Sequence, residues 1–161
     1  AGKQPFPGVT QVASRRGAGR TTLRIHLGEG FGEHMARILI VDDSPSQLLG
    51  IQRIVEKLGH ETFTATDGAE GVEVAKSVLP DLVLMDVVMP NLNGFQATRT
   101  LKREATTTHI PVVLVTTKDQ DTDRLWGMRQ GAKAYITKPF SESDLSEVIA
   151  RVFEGGDAPV A

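Results

Sequence analysis

From residue 38 onward the chain alternates two hydrophobic rhythms. Short unbroken apolar runs occur at Ile38-Leu39-Ile40-Val41, Leu82-Val83-Leu84-Met85, Val112-Val113-Leu114-Val115 and Ala134-Tyr135-Ile136. Runs of this length are too short for a typical helix and read as strands buried on both faces, as in a parallel sheet. Between them, apolar residues recur every three or four positions. Leu48, Ile51, Val55 and Leu58 mark a first helix that starts at Ser44-Pro45, with Ser as N-cap and Pro at the first helical position, and stops at Gly59. Glu61-Thr62-Phe63-Thr64-Ala65 alternates and predicts a less buried strand. Asp67-Gly68 opens a second helix carrying Val72, Ala75 and Val78, which Pro80 ends. Phe95, Thr98 and Leu101 share a face of a third, and Asp121 to Gln130, closed by Gly131, form a fourth. Ser141 caps a fifth, with Asp144 in its first turn and Leu145, Val148, Ile149 and Val152 as its buried stripe. Five strands alternating with five helices, joined by right-handed crossovers, give an α/β fold with a parallel sheet covered on both faces. One domain over residues 35–155 accounts for all of these elements, with a short flexible tail at 156–161.

Residues 1–34 lack a sustained apolar period and are rich in Gly, Arg, Thr and Pro, so they are expected to be a disordered leader or tag. Met35-Ala36-Arg37 leads straight into the first strand, as a natural start would. Charge follows the same division. The first 34 residues carry five Lys/Arg against two acids, a net +3, and the remainder is −5 within an overall −2. An acidic folded part is a poor nucleic-acid binder. Arg15, Arg16, Arg20 and Arg24 are either solvated or an anchor for an acidic partner.

The chain has no cysteine, which removes disulfides, thiolate metal sites and cysteine nucleophiles and fits a reducing compartment. No apolar run approaches the roughly 20 residues of a membrane span.

Chemistry enters at the strand ends. Asp42-Asp43 follows the first strand, Asp86 the third, Thr116 ends the fourth and Lys138 follows the fifth. A parallel sheet gathers all these ends on one edge, where open α/β sheets place their ligand sites. Asp86 there is a metal ligand, a nucleophile or a capped structural group. Asp42, Asp43 and Asp86 together are three hard oxygen donors that repel one another without a cation. Mg²⁺ suits such a set because it takes one or two carboxylates and keeps waters and phosphate oxygens as its other ligands. The lack of nearby His and Cys argues against zinc. A metal beside Asp86 shields its charge and orients a phosphoryl group, so that Asp86 can act as nucleophile and form an acyl phosphate. Lys138 supplies positive charge for the phosphoryl oxygens and Thr116 a hydroxyl donor.

On these residues, 36–154 resemble a bacterial response-regulator receiver domain of the chemotaxis type. The matching positions are Asp42-Asp43, Asp86 in Leu84-Met85-Asp86, Met89-Pro90 with Gly94, Thr116, Tyr135 and Lys138-Pro139. The resemblance implies a flavodoxin-like sheet of strand order 2-1-3-4-5, bound Mg²⁺, a histidine kinase as phosphodonor and a cytoplasmic location. It further implies that the Val88 backbone carbonyl is a metal ligand and that the Lys138–Pro139 bond is cis. Thr116 and Tyr135 would form the switch pair, and the fourth helix, fifth strand and fifth helix the responding surface. Beyond its own phosphorylation and dephosphorylation, no enzymatic activity is expected. Segments such as Gly94-Phe95-Gln96-Ala97-Thr98-Arg99 and Val115-Thr116-Thr117-Lys118-Asp119-Gln120 are similar to the single-domain twitching-motility regulators of type IV pilus systems.

No DNA-binding helix-turn-helix follows Phe153 in this sequence, so output is expected through contact with a pilus motor or regulatory protein, or as a phosphate sink. Val88, two residues after Asp86, carries no amide to position water, and Lys118 stands two after Thr116. A dehalogenase-type phosphatase would need an acid where Val88 stands, and a dinucleotide-binding enzyme a glycine-rich turn where Asp42-Asp43-Ser44-Pro45 stands. A non-phosphorylated receiver-like scaffold is the remaining alternative. Trp126, the only tryptophan, is a contact residue or a core anchor, and Gly127 makes the fourth helix the segment most prone to irregularity.

Overall fold

The computed structural model describes the backbone of residues 9–16 and 20–27 and all of residues 35–155. The expected tail at 156–161 lies outside the described residues. Within the stretch read from sequence as a disordered leader or tag, two segments are described. Strands β1 (Val9–Arg16) and β2 (Arg20–Leu27) pair antiparallel, from Val9 opposite Leu27 to Arg16 opposite Arg20. The period-2 pattern of Leu23, Ile25 and Leu27, set among β-branched Thr and Val, is a strand signal that the Gly- and Arg-rich composition obscures.

The remaining elements are β3 (Arg37–Val41), α1 (Pro45–Lys57), β4 (Glu61–Ala65), α2 (Gly68–Val78), β5 (Leu82–Met85), α3 (Gly94–Arg103), β6 (Val112–Thr116), α4 (Asp121–Arg129), β7 (Ala134–Thr137) and α5 (Glu142–Phe153). Five strands form one parallel sheet in the order β4-β3-β5-β6-β7, which is 2-1-3-4-5 along these five. The apolar runs of β3, β5 and β6 sit in the interior of the sheet and that of β7 at one edge, and all four runs are buried, while β4, at the other edge, buries Ala65 fully and exposes Glu61 and Thr64.

Alternate residues of β3, β5, β6 and β7 feed two separate cores. Ile38, Ile40, Leu82, Leu84, Val113, Val115 and Ile136 meet α1 and α5 through Ile51, Val55, Leu145, Val148 and Ile149. Leu39, Val41, Val83, Met85, Val112, Leu114 and Tyr135 meet α2 and α3 through Val72, Ala75, Ala97 and Leu101. Helix starts follow local chemistry. Asp67 accepts the Glu70 N–H, and Asn93 with Gln96, and Ser141 with Asp144, form reciprocal capping boxes. At α1, Ser44 holds the N-cap position with Pro45 next to it, but its side chain makes no capping bond. The fourth helix is continuous from Asp121 to Arg129, so Gly127 does not break it.

At the edge of the sheet opposite the polar strand ends, Asp81 is buried and structural. Its carboxylate accepts the Arg37 N–H at 2.9 Å and its own N–H donates to the Arg37 carbonyl at 2.7 Å, tying β3 to β5. Among the described residues no helix is long and apolar enough to cross a membrane.

Candidate functional site

The parallel register carries the strand ends to one edge. Val41 lies beside Met85, Met85 beside Leu114, and Leu114 beside Tyr135. The residues that follow Val41 and Met85 are therefore Asp42 and Asp86, side by side at the centre of the sheet. Asp42, Asp43 and Asp86 each offer a carboxylate oxygen within 4.8 Å of the others. Asp42 is 1% exposed and Asp86 8%, while Asp43 faces outward.

Lys138 comes from the far side of the edge, after β7. Its Nζ donates to Asp42 Oδ2 at 2.7 Å and stands 3.8 Å from Asp86 Oδ2. Its third neighbour is Gln47 of α1, whose Oε1 accepts from the same ammonium. Sequence reasoning missed Gln47. Its only signal is its place in the first turn of the helix that follows Asp42-Asp43. The Lys138–Pro139 peptide is cis, as the resemblance implied. The Lys138 N–H also donates to the Thr116 carbonyl at 2.8 Å, linking the β6 and β7 ends.

The loop after Asp86 is held tightly by glycine. A Cβ on Gly94 would stand 2.0 Å from the Asp86 carbonyl oxygen, and one on Gly68 would stand 2.0 Å from the Leu92 carbonyl oxygen. No other residue fits either position without moving the backbone. Gly94 N–H also donates to the Val87 carbonyl at 2.9 Å. This fixes Val87, whose N–H donates to Asp86 Oδ1 at 2.8 Å and orients the carboxylate. Val88 follows with its side chain exposed beside Asp86.

Burial raises the pKa of Asp86 above its ordinary value. Lys138 opposes that shift, and the like charge of Asp42 adds to it. Three carboxylates against one ammonium leave the cluster with excess negative charge and only oxygen donors. The residues present thus fit a hard divalent cation such as Mg²⁺.

Thr116 is fully buried at the end of β6, and its Oγ1 accepts the Lys118 N–H at 3.3 Å. Tyr135 is also fully buried, and its hydroxyl donates to the Lys118 carbonyl at 2.7 Å. Both residues thereby engage one segment, the loop that leads into α4. Burial pushes the Tyr135 phenol up to about 12; the Asp123 charge adds to this and Arg124 opposes it. The Lys118 ammonium pairs with Asp123 at 3.8 Å rather than reaching the acidic cluster. Trp126 is 49% exposed, which makes it a surface residue and not a core anchor. The next residue, Gly127, is buried, and a Cβ there would meet Leu114 Cδ1 at 2.7 Å and the Tyr135 ring at 3.1 Å.

The family model of the response regulator receiver domain matches residues 38–150, the stretch that carries this sheet edge. This chain belongs to the response regulator receiver family. The receiver is 54% identical to PilH of Pseudomonas aeruginosa over 121 residues, which span 75% of this chain and all of PilH. It is 41% identical over 107 residues to the response regulator PleD of Caulobacter vibrioides, covering 66% of this chain but 24% of PleD. Among solved structures, the chemotaxis protein CheY4 of Vibrio cholerae matches with a TM-score of 0.70 at 30% identity, over 73% of this chain and 98% of that one. The receiver domain of a Pseudomonas aeruginosa sensor histidine kinase, solved with magnesium coordinated in its active-site cleft, matches with a TM-score of 0.68 at 28% identity, over 75% and 98%. The flavodoxin-like order expected from the resemblance is the order observed.

Proposed function

We propose that this receiver is a single-domain response regulator that takes a phosphoryl group from a histidine kinase onto Asp86. The observation that supports this most directly is the set of Asp42, Asp43 and Asp86 oxygens within 4.8 Å, with the Lys138 ammonium 3.8 Å from Asp86. Asp42, Asp43, Asp86 and the backbone carbonyl of Val88 would hold Mg²⁺. When bound, the ion neutralises the carboxylates and a phosphoryl oxygen, a Lewis-acid role.

The chain's own residues do the rest by position. Asp86 is presented by the Val87 N–H with one carboxylate oxygen oriented and the other toward Lys138. In the transfer, that free oxygen bonds to phosphorus, and the bond from phosphorus to the donor breaks with its electron pair leaving on the donor. Lys138, now held by Asp42 and Gln47, faces the incoming phosphoryl oxygens with its positive charge. Thr116 offers its hydroxyl proton to a phosphoryl oxygen, and an inward movement of its side chain pulls on the Lys118 N–H from which its oxygen accepts. Tyr135 is tied to the carbonyl of that same residue, Lys118, and follows that loop, so Thr116 and Tyr135 act as the switch pair.

Full coverage of PilH supports a cytoplasmic role in the control of type IV pilus twitching, through contact with a pilus motor or regulatory protein or as a phosphate sink. Intact mass after incubation with Mg²⁺ and acetyl phosphate tests the reading. One added phosphoryl group in the parent and none in Asp86→Asn supports it. No addition under any condition sinks it and leaves the non-phosphorylated scaffold. The decay rate of the modified mass separates a sink from a lasting effector.

A further inference from the structure

Away from the acidic edge, the C-terminal ends of α3 and α4 form an open cleft of about 360 Å³, lined by Arg99, Lys102, Arg103, Trp126, Arg129 and Gln130. Arg99, Arg103 and Arg129 are exposed, and among the described residues their side chains make no ion pair or hydrogen bond. Lys102 is different. Its ammonium is spent on the Thr108 and Ile110 carbonyls, and burial lowers its pKa. No carboxylate lines the cleft, although the chain from residue 35 onward carries a net −5.

Helix dipoles favour Arg103 and Arg129, each in the last turn of its helix. They do not account for Arg99, a turn earlier on the same face as Arg103, nor for an indole left half exposed beside them. Guanidinium groups pair with carboxylates in two-point geometry, and a half-exposed indole offers a flat apolar surface with low conformational cost.

We propose that the α3–α4 cleft is a docking site for an acidic peptide segment of a partner protein. Carboxylates of the segment pair with Arg99, Arg103 and Arg129, and its aliphatic stems lie on Trp126. A nucleic acid is charged along its whole length and would extend past the cleft over the acidic remainder of the domain, whereas a short acidic segment need meet only the cleft. Because Trp126 directly precedes Gly127, which sits against the Tyr135 ring, an occupant of the cleft contacts the helix that lies over the switch tyrosine.

The sole tryptophan is the reporter. Titration of the full chain with a hexaglutamate peptide at low salt should change Trp126 fluorescence saturably, and added salt should weaken the binding. The double variant Arg103→Gln/Arg129→Gln removes two unpartnered charges without placing acids at helix C-termini, and should bind about tenfold more weakly. Arg99→Gln alone provides a second, milder weakening. Asp86→Asn should bind the peptide as the parent does, so this test and the phosphorylation test fail independently. Absence of a saturable change, or unchanged affinity in both Gln variants, overturns the proposal. So does equal or tighter binding of inorganic phosphate or of a single-stranded thymidine oligonucleotide, either of which would assign the cleft to phosphate anions. Sedimentation showing a dimer that the double variant dissociates would assign it to a second copy of this chain and overturn it equally.

Discussion

Helices α4 and α5 lie over opposite faces of the same edge strand, β7, and are held there by different means. Helix α5 buries Leu145, Val148, Ile149 and Val152 against one core and starts with a reciprocal capping box. Each such side chain contributes about 1.5–3 kcal/mol when fully removed from water. Helix α4 buries only Gly127, starts at Gln120 with no side-chain cap, and leaves Leu125 and Trp126 half exposed. The first helix is fixed by apolar area. The second is fixed by close backbone approach and by the loop that Thr116 and Tyr135 grip. Elements with little buried apolar surface open at lower free energy. The contrast therefore makes α5 the firmly held side of this edge and α4 the side that opens more readily.

The largest effect that would break this contrast lies in the two leucines. Leu145→Ala should cost about 2–5 kcal/mol, as for a fully buried aliphatic, and Leu125→Ala should stay within about 0.5 kcal/mol. Urea denaturation of both variants measures the difference. Similar midpoints for the two would show α4 to be as firmly held as α5.

Native-state hydrogen exchange sharpens the same point without mutation. Amides in Asp123–Arg129 should exchange through openings of lower free energy than those in Leu145–Val152, by a margin of a few kcal/mol. Indistinguishable protection would mean that the sheet edge opens as one unit.

Gly127→Ala should have a smaller effect. Alanine raises helix propensity by about 1 kcal/mol over glycine, but overpacking of a core contact costs about 1–3 kcal/mol. Leu114 and Tyr135 are both fully buried and cannot give way freely, so a net loss of about 1 kcal/mol is expected, with a change in the near-ultraviolet circular dichroism of Tyr135. A gain in stability would show that α4 lifts off the sheet at no cost.

How much of this was legible in the sequence differs along the chain. The four apolar strand runs are unambiguous because they are buried on both faces, and parallel strands place Asp42, Asp86, Thr116 and Lys138 on one edge with no further information. Gln47 was not legible, because one polar residue in the first turn of a helix looks like any other until the Lys138 ammonium is seen to reach it. The role of Gly127 was not legible for a related reason. Propensity marks it only as a point where α4 is prone to irregularity, whereas in the fold the missing side chain lets α4 approach the Tyr135 ring. The β1–β2 pairing was hidden because a composition rich in Gly and Arg outweighed a two-residue alternation only a few positions long.

The subtlest test concerns what α4 covers. Tyr135→Phe keeps the ring against Gly127 and removes only the hydroxyl that donates to the Lys118 carbonyl, so it should cost about 1 kcal/mol, the usual net worth of one hydrogen bond. The pH dependence separates that bond from the packing. Tyr135 is the only tyrosine, so tyrosinate absorbance reports it alone, and in the native protein it should titrate near 12 and not at the ordinary 10.0. A folded pKa above the unfolded one means that the native state holds its proton more firmly. The phenol's contribution to stability is therefore complete below pH 10 and is lost as pH rises from 10.0 toward about 12. Over that interval the parent should lose stability faster than Tyr135→Phe. Tyrosinate appearing near pH 10 in the native protein would mean that the ring already reaches solvent past α4, and the division between a fixed α5 and a responsive α4 would then have to be drawn with α4 open at rest.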